Sequence, residues 1–270
     1  MIHWGITTLI GHRHSLENCC NKAAQLGYEY IELNCVRDYY AHYNAMQLAD
    51  SSGELLRIRR MLHENKLGCS AIDCHGLFGR SSCEYNYTCE YLEAGMRIAL
   101  ELGAPLVVTS IPKGPTPYSI MARTMKTLCQ KAADLNLGLA IEAEYDFAVG
   151  PNELEMFLND VAAQNLYVNF DPSHFARCGW KIPRAVEKFR DRIAHVHLKE
   201  YLPDVPHGTR YSGIQGSPCS QMLDELGRLD YDGIASAETL VELDDVSSDS
   251  ASIIMNGIRS WETRKEMVNA

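Results

Sequence analysis

A closed barrel of eight parallel strands, each followed by a helix, is the α/β fold class that the sequence predicts. Three observations carry it. Short apolar runs alternate with longer amphipathic stretches from one end of the chain to the other, an order that calls for parallel strands joined by right-handed crossovers. The length of 270 residues suits a single (β/α)8 barrel, which typically takes about 250. Neither Gly-x-Gly-x-x-Gly nor Gly-x-x-x-x-Gly-Lys-Ser/Thr occurs, so the main sequence support for an open doubly wound sheet is absent.

Each element has its own signal. Ile2–Thr7 is a first strand, and Ser15–Leu26 a helix with Ser15 as N-cap and Gly27 as its stop. Tyr28–Asn34 alternates as a strand, and Ser51–Asn65 carries Leu55, Ile58, Met61 and Leu62 at helical spacing. Cys69–Cys74 is the third strand, followed by a helix over Glu84–Leu102 that Gly103 closes. Pro105–Ser110 is continuously apolar, as a strand covered on both faces should be. Pro117–Leu135 returns as helix. Leu137–Ala143, Leu166–Asp171, Ile193–Lys199 and Gly233–Glu238 supply the remaining strands. The helices between and after them are predicted over Pro151–Ala163, Ile182–Phe189, Pro218–Leu229 and Ser247–Glu266. No linker or low-complexity tract interrupts the series, so residues 1–270 read as one barrel domain.

Composition narrows the functional classes. Hydrophobic residues at 46% and charged residues at 22% are globular values, and a chain this long buries roughly three-quarters of its unfolded surface. A formal charge of −10 has the wrong sign for nucleic acid or an anionic membrane surface. No apolar run approaches the ~20 residues of a membrane span. The opening Met1-Ile2-His3-Trp4-Gly5 lacks the basic and apolar regions of a signal peptide. Ten cysteines without a single Cys-x-x-Cys pair read as reduced thiols in a cytoplasmic protein rather than a zinc ribbon or redox motif.

In such a barrel the chemistry belongs at the C-terminal ends of the strands. Four late strands end in polar groups: Leu137-Gly-Leu-Ala-Ile-Glu142-Ala-Glu144, Val168-Asn-Phe-Asp171-Pro-Ser-His174, His195-Val-His197-Leu-Lys199-Glu200 and Ile234-Ala-Ser-Ala-Glu238. Period-two geometry puts His195, His197 and Lys199 on one face of their strand, and in a closed barrel a polar face belongs to the lumen. A single glutamate at a strand end is usually a solvated loop residue, and a lone inward histidine usually a hydrogen-bonded core residue. Four such groups on consecutive strands point elsewhere. Glu142, Asp171, His197 and Glu238 would converge, and three carboxylates resist sharing a mouth without a counter-charge. A divalent cation supplies it; mostly oxygen ligation with one nitrogen suits Mn²⁺, Mg²⁺, Co²⁺ or Zn²⁺, Mn²⁺ being the first expectation. His195, one layer deeper, reads as a structural group or as one that supports a ligand. Glu144 shares a face with Glu142, so either of the two is eligible as the ligand.

At these residues the chain resembles the xylose isomerase-like TIM barrel superfamily, in particular its sugar (phosphate) isomerase/epimerase branch. Asp171-Pro-Ser-His174, Ala194-His-Val-His-Leu-Lys-Glu200 and Tyr231-Asp-Gly-Ile-Ala-Ser-Ala-Glu238 stand in that branch's order and spacing. The resemblance implies one divalent metal held by Glu142, Asp171, His197 and Glu238, with Glu142 and Glu238 also shuttling protons. It places His75 and His174 on the substrate side. It departs from the branch's pattern at Ile214-Gln-Gly-Ser, where relatives often carry Gly-Glu-Gly, and at Glu144, where they often carry His or Asn.

The activity expected from these readings is metal-dependent isomerisation or epimerisation of a sugar or related polyhydroxy carbonyl compound through an enediolate. The same parts serve elimination, so a dehydratase or lyase acting on a keto-sugar or inosose is the alternative. Lys199 and Arg210 are further substrate-binding candidates, with His207 in the same long loop as Arg210. Lys113, Arg177 and Lys181 also lie in loops at the catalytic end. The expected partner is a small carbohydrate, and a homo-oligomer is compatible with the sequence.

Overall fold

The barrel closes where the first strand meets the last. In the computed structural model, which describes residues 1–11, 13–36, 41–75, 82–201, 209–211, 213–238 and 247–269, β1 (Ile2–Thr7) pairs in parallel with both β2 (Tyr30–Asn34) and β9 (Gly233–Ala237). From β2 the wall continues through β3 (Gly68–Asp73), β4 (Leu106–Thr109), β5 (Gly138–Glu142), β6 (Leu166–Phe170) and β7 (Ile193–Glu200), each beside its predecessor. β7 then pairs in parallel with β9. Eight parallel strands thus form the closed barrel, and a two-residue strand, β8 (Thr209–Arg210), lies antiparallel on the end of β7.

The helices follow the sequence rules at their ends. In α1 (Leu16–Leu26), Ser15 accepts a hydrogen bond from the Asn18 N–H, and Gly27 closes the helix with φ 95°, a left-handed conformation that glycine adopts without steric cost. α3 (Ser52–Glu64), α4 (Ser82–Leu102), α5 (Tyr118–Asp134), α8 (Ile182–Phe189), α9 (Pro218–Arg228) and α10 (Ser247–Asn269) match the expected helices within a few residues. α6 (Leu154–Val161) starts three residues later than expected, because residues 150–153 form a turn closed by Glu153 N–H to the Gly150 carbonyl. Two short helices were not foreseen: α2 (Ala45–Ala49), capped by Asn44, and α7 (Pro172–Arg177), capped by Asp171. The strict one-helix-per-strand order therefore gives way to ten α-helices among the described residues.

Strand alternation sorts the side chains into two layers. Ile31, Leu33, Ile72, Val107, Leu139, Ile141, Val196 and Leu198 point outward and are buried under the helices, each large side chain contributing roughly 1.5–3 kcal/mol. Inside, Ala71, Leu106, Val108 and Ala140 make a small apolar plug, with Tyr167 and Ala194 packed on it. Everything polar on the lumen side therefore gathers above the plug, at the C-terminal ends of the strands.

Two register shifts aim that polar layer. Between β2 and β3 the pairing steps from Ile31↔Cys69 to Glu32↔Ala71, leaving Ser70 as an extra residue. Between β6 and β7 it steps from Val168↔Ile193 to Asn169↔His195, leaving Ala194 extra. Bulges of this kind commonly re-aim side chains beside a functional site. Among the described residues no helix is long and apolar enough to cross a membrane, and the nine cysteines whose side chains are described are free thiols.

Candidate metal centre

Glu142 is the last residue of β5, Asp171 follows β6, His197 lies within β7 and Glu238 follows β9. Each offers a ligand atom, and these atoms all lie within 4.8 Å of one another. Their side chains are almost entirely withdrawn from solvent. Glu142 is the strand-five carboxylate that joins this group, while Glu144 stands two residues further along at its edge.

Local sequence explains the shape of each position. Pro172 opens α7 at a position where its missing N–H costs nothing. Asp171 then caps that helix, its Oδ1 accepting from the Ser173 N–H at 2.7 Å. Its Oδ2 is buried and accepts no hydrogen bond of normal geometry, although the ammonium of Lys199 lies 2.6 Å away. One oxygen holds the helix and the other is left facing the cluster.

His197 is the hub. Its Nδ1 is 2.9 Å from Glu238 Oε2 and 3.0 Å from Glu142 Oε2, and its Nε2 is 3.0 Å from Glu32 Oε2. Burial would lower the imidazole pKa, but the carboxylates of Glu32, Glu238 and Glu142 outweigh it and hold it well above 6.5. Lys199 is equally enclosed, with Nζ 2.9 Å from Glu238 Oε2 and 3.7 Å from Glu142 Oε1. Burial pushes the Glu238 carboxyl up, yet Lys199 and His197 overcome it and bring it down to about 2. Glu142 is likewise held well below its ordinary value against burial, by His197, Lys199 and His75.

Below this layer runs a directed hydrogen-bond chain. His195 is neutral, its pKa lowered to about 4 chiefly by burial. Its Nε2 lies 2.9 Å from Ser236 Oγ and its Nδ1 2.9 Å from Asn169 Oδ1. The amide oxygen of Asn169 can only accept, so the His195 proton is on Nδ1 and Ser236 donates to Nε2. Asn169 Nδ2 then donates to Glu142 Oε2 at 3.0 Å. His195 is a structural group, as its depth predicted, and its influence reaches a candidate ligand.

The rim carries the substrate-side candidates. His75 donates from Nδ1 to Asp73, while its Nε2 stands 3.0 Å from Glu142 Oε2. His174 Nε2 stands 3.2 Å from Glu142 Oε1, and the Tyr145 N–H donates to its Nδ1 at 3.4 Å. The Tyr145 ring stacks on His174, with the Arg177 guanidinium 3.6 Å above its centre. Arg210 is on β8 opposite Lys199, and His207 lies outside the described residues. Lys113 is paired with Asp146 in an exposed loop.

Sequence reasoning passed over three residues here: Glu32, Asn169 and Asp73. All three are buried, and Asn34 Nδ2 donates to Asp73 Oδ2 at 2.8 Å. The signal was present for Glu32, since Tyr30, Glu32 and Asn34 make a polar face on β2 of the same kind that singled out β7. Asn169 shares its strand face with Asp171 in the same way.

The donor set suits a divalent ion. Three carboxylates and one imidazole are hard or borderline donors, with no thiolate among them. The Asp171 oxygen without a well-directed hydrogen bond is the kind of atom a cation satisfies.

The model of the xylose isomerase-like TIM barrel family matches residues 20–262. The chain belongs to that family. Solved structures agree at the level of fold. The probable 3-DHS dehydratase AsbF of Bacillus anthracis superposes with a TM-score of 0.77 at 16% identity, over 95% of this chain and 98% of its own. The D-allulose 3-epimerase of a Methylomonas species gives 0.76 at 17% identity, over 96% and 98%. A D-psicose 3-epimerase crystallised with D-fructose gives 0.75 at 16% identity, over 98% and 99%. By sequence, no curated protein matches the chain. Within the xylose isomerase-like family, identities this low establish a common barrel and leave the reaction to the site.

Proposed function

We propose that this xylose isomerase-like barrel is a divalent-metal-dependent isomerase or epimerase of a sugar or related polyhydroxy carbonyl compound, working through an enediolate. The observation that carries this reading is the convergence of Glu142, Asp171, His197 and Glu238, from four neighbouring strands, within 4.8 Å. These four would be the ligands, with Mn²⁺ the first choice of ion. When bound, a divalent ion supplies Lewis acidity to adjacent carbonyl and hydroxyl oxygens of a substrate and so acidifies the neighbouring C–H.

The chain's own groups do the rest. Glu142 on β5 and Glu238 after β9 face each other across Asp171 and His197, so they address opposite sides of a carbon held between them. One takes the proton and the other, or the same one, returns it, a step typically worth about 10²–10⁴ in rate. Both carboxyls lie below their ordinary pKa, which makes them weak bases that work only on an acidified C–H. In His174 the Tyr145 N–H occupies Nδ1, so the ring proton is on Nε2, beside Glu142 Oε1, where a substrate oxygen would compete with that carboxylate for it. The Lys199 ammonium stands where negative charge develops on an enediolate. A small carbohydrate as substrate and a cytoplasmic location, consistent with the free thiols, belong to the same reading.

Elimination is the second reading, favoured by Glu144. Burial, with the Glu142 charge beside it, raises the pKa of this carboxyl, which suits an acid that protonates a departing hydroxyl. Metal analysis after Mn²⁺-supplemented purification, followed by incubation with a panel of ketoses and inososes in D₂O, separates the readings. Exchange of one C–H without loss of water supports isomerisation, and loss of water supports elimination. A folded, metal-loaded protein that does neither on the whole panel refutes both.

A further inference from the structure

Glu32 is a buried carboxylate of this cluster for which the proposed chemistry has no use. It sits at the centre of β2, its side chain wholly withdrawn from solvent. Its Oε1 and Oε2 lie 3.2 Å and 3.0 Å from His197 Nε2. Its other basic neighbour is His195, whose Nε2 is 3.7 Å away.

Two roles compete for it. Glu32, His195 and His197 offer atoms within 4.8 Å of one another, so they could in principle hold an ion of their own. The histidines argue against that. Both nitrogens of His195 are engaged, by Asn169 and Ser236. His197 has its Nε2 on Glu32 and its Nδ1 turned away, toward Glu142 and Glu238. A second ion would have to break two well-formed hydrogen bonds, Ser236 to His195 Nε2 and His197 Nε2 to Glu32, to find its ligands.

Resting on the metal reading of the site, we propose that Glu32 is its positioning residue. Glu32 accepts from the Nε2–H of His197, so Nδ1, which faces Glu142 and Glu238, is the nitrogen that would give up its proton to a cation in the space bounded by Glu142, Asp171 and Glu238. An imidazole binds a metal only through an unprotonated nitrogen, and the tautomer is set by whatever its other nitrogen meets. A carboxylate in that place fixes both the tautomer and the ring plane, and it makes the ring a stronger donor. Because the pair is sealed beneath the mouth, no solvent or substrate group competes for Nε2.

Mn²⁺ affinity measured by calorimetry on the wild type, Glu32→Gln and Glu32→Leu tests the idea, with folding checked by circular dichroism. Glu32→Gln keeps size and one acceptor oxygen but loses the charge, so its Kd should rise by about 10-fold; Glu32→Leu should lose 100-fold or more. Nitrogen-15 spectra of the Zn²⁺-loaded proteins supply a second readout, and they separate positioning from mere stability. The wild type should show His197 as a single species protonated at Nε2, and Glu32→Gln a mixture or a shifted ring resonance. If Glu32→Leu does not fold, Glu32→Gln alone decides. Wild-type protein that binds Mn²⁺ together with a Glu32→Gln variant of equal affinity and identical ring spectrum would falsify the role of Glu32 and leave the metal reading intact. Wild-type protein that binds no divalent ion at all overturns the metal reading, and the role of Glu32 with it.

Discussion

His195 and Glu142 never touch, yet Asn169 ties them together: His195 donates to its Oδ1 at 2.9 Å, and its Nδ2 donates to Glu142 Oε2 at 3.0 Å. The chain begins at Ser236 on β9 and ends at a carboxylate on β5, so the floor of the site links strands on opposite sides of His197. Each link in it joins a donor to an acceptor, and turning the Asn169 amide over would set its oxygen against the Glu142 carboxylate. Such fully satisfied networks hold side chains in one arrangement, whereas a partly satisfied one is costly.

Asn169→Asp tests that linkage. The new side chain still accepts from His195 but presents an oxygen to Glu142 where a donor stood. Mn²⁺ affinity and turnover should both fall, by about 10-fold or more, while the barrel's circular dichroism stays unchanged. A variant with wild-type affinity and rate would show that Glu142 holds its place without the asparagine.

Lys199 predicts how the metal-free protein behaves. Its ammonium is the buried cation among Asp171, Glu238 and Glu142, and removing one partner of a buried ion pair typically costs about 3–5 kcal/mol. Lys199→Met should therefore unfold at markedly lower urea without metal, and Mn²⁺ should restore most of the difference. Equal urea midpoints for variant and wild type in chelator would contradict this.

The two strand-five glutamates should separate in kinetics. Glu142→Gln is expected to abolish nearly all activity, at least about 100-fold, because the residue is both ligand and proton acceptor in the proposed reaction. Glu144→Gln should mainly change KM if the reaction is isomerisation, and should lower kcat if it is elimination. Activity that survives Glu142→Gln but not Glu144→Gln would move the site two residues along β5.

Acid should weaken the fold through His195. Its pKa of about 4 in the folded chain lies below the ordinary 6.5, so between these values the unfolded chain binds a proton that the folded one refuses. The stabilisation is complete above pH 6.5 and lost as the pH falls through 4, a span worth about 3 kcal/mol at 1.36 kcal/mol per unit. A histidine titration by NMR on metal-free protein should find one ring with a midpoint near 4. The pH dependence of urea unfolding should be shallower in His195→Gln by about that amount. A His195 midpoint near 6.5 would show that the ring is solvated rather than locked between Asn169 and Ser236.

The sequence by itself determined the architecture and four members of the cluster. Period-two strands such as His195–Lys199, caps such as Ser15 and Gly27, and carboxylates placed directly after apolar runs are local signals. Local signals suffice once eight repeats leave the barrel as the one way to pair every strand. Glu142, Asp171 and Glu238 were legible because each stands where an apolar strand ends, and His197 because it shares one polar strand face with His195 and Lys199. Only the tertiary structure decided how those residues use one another. Glu32 and His197 are 165 residues apart, and their contact depends on strand registers that step at Ser70 and Ala194. A one-residue step of that kind turns the remainder of a strand over, and no hydrophobic period encodes where it falls. Asn169 shares a strand face with Asp171, but its role shows only when the closed barrel sets His195 on one side of it and Glu142 on the other.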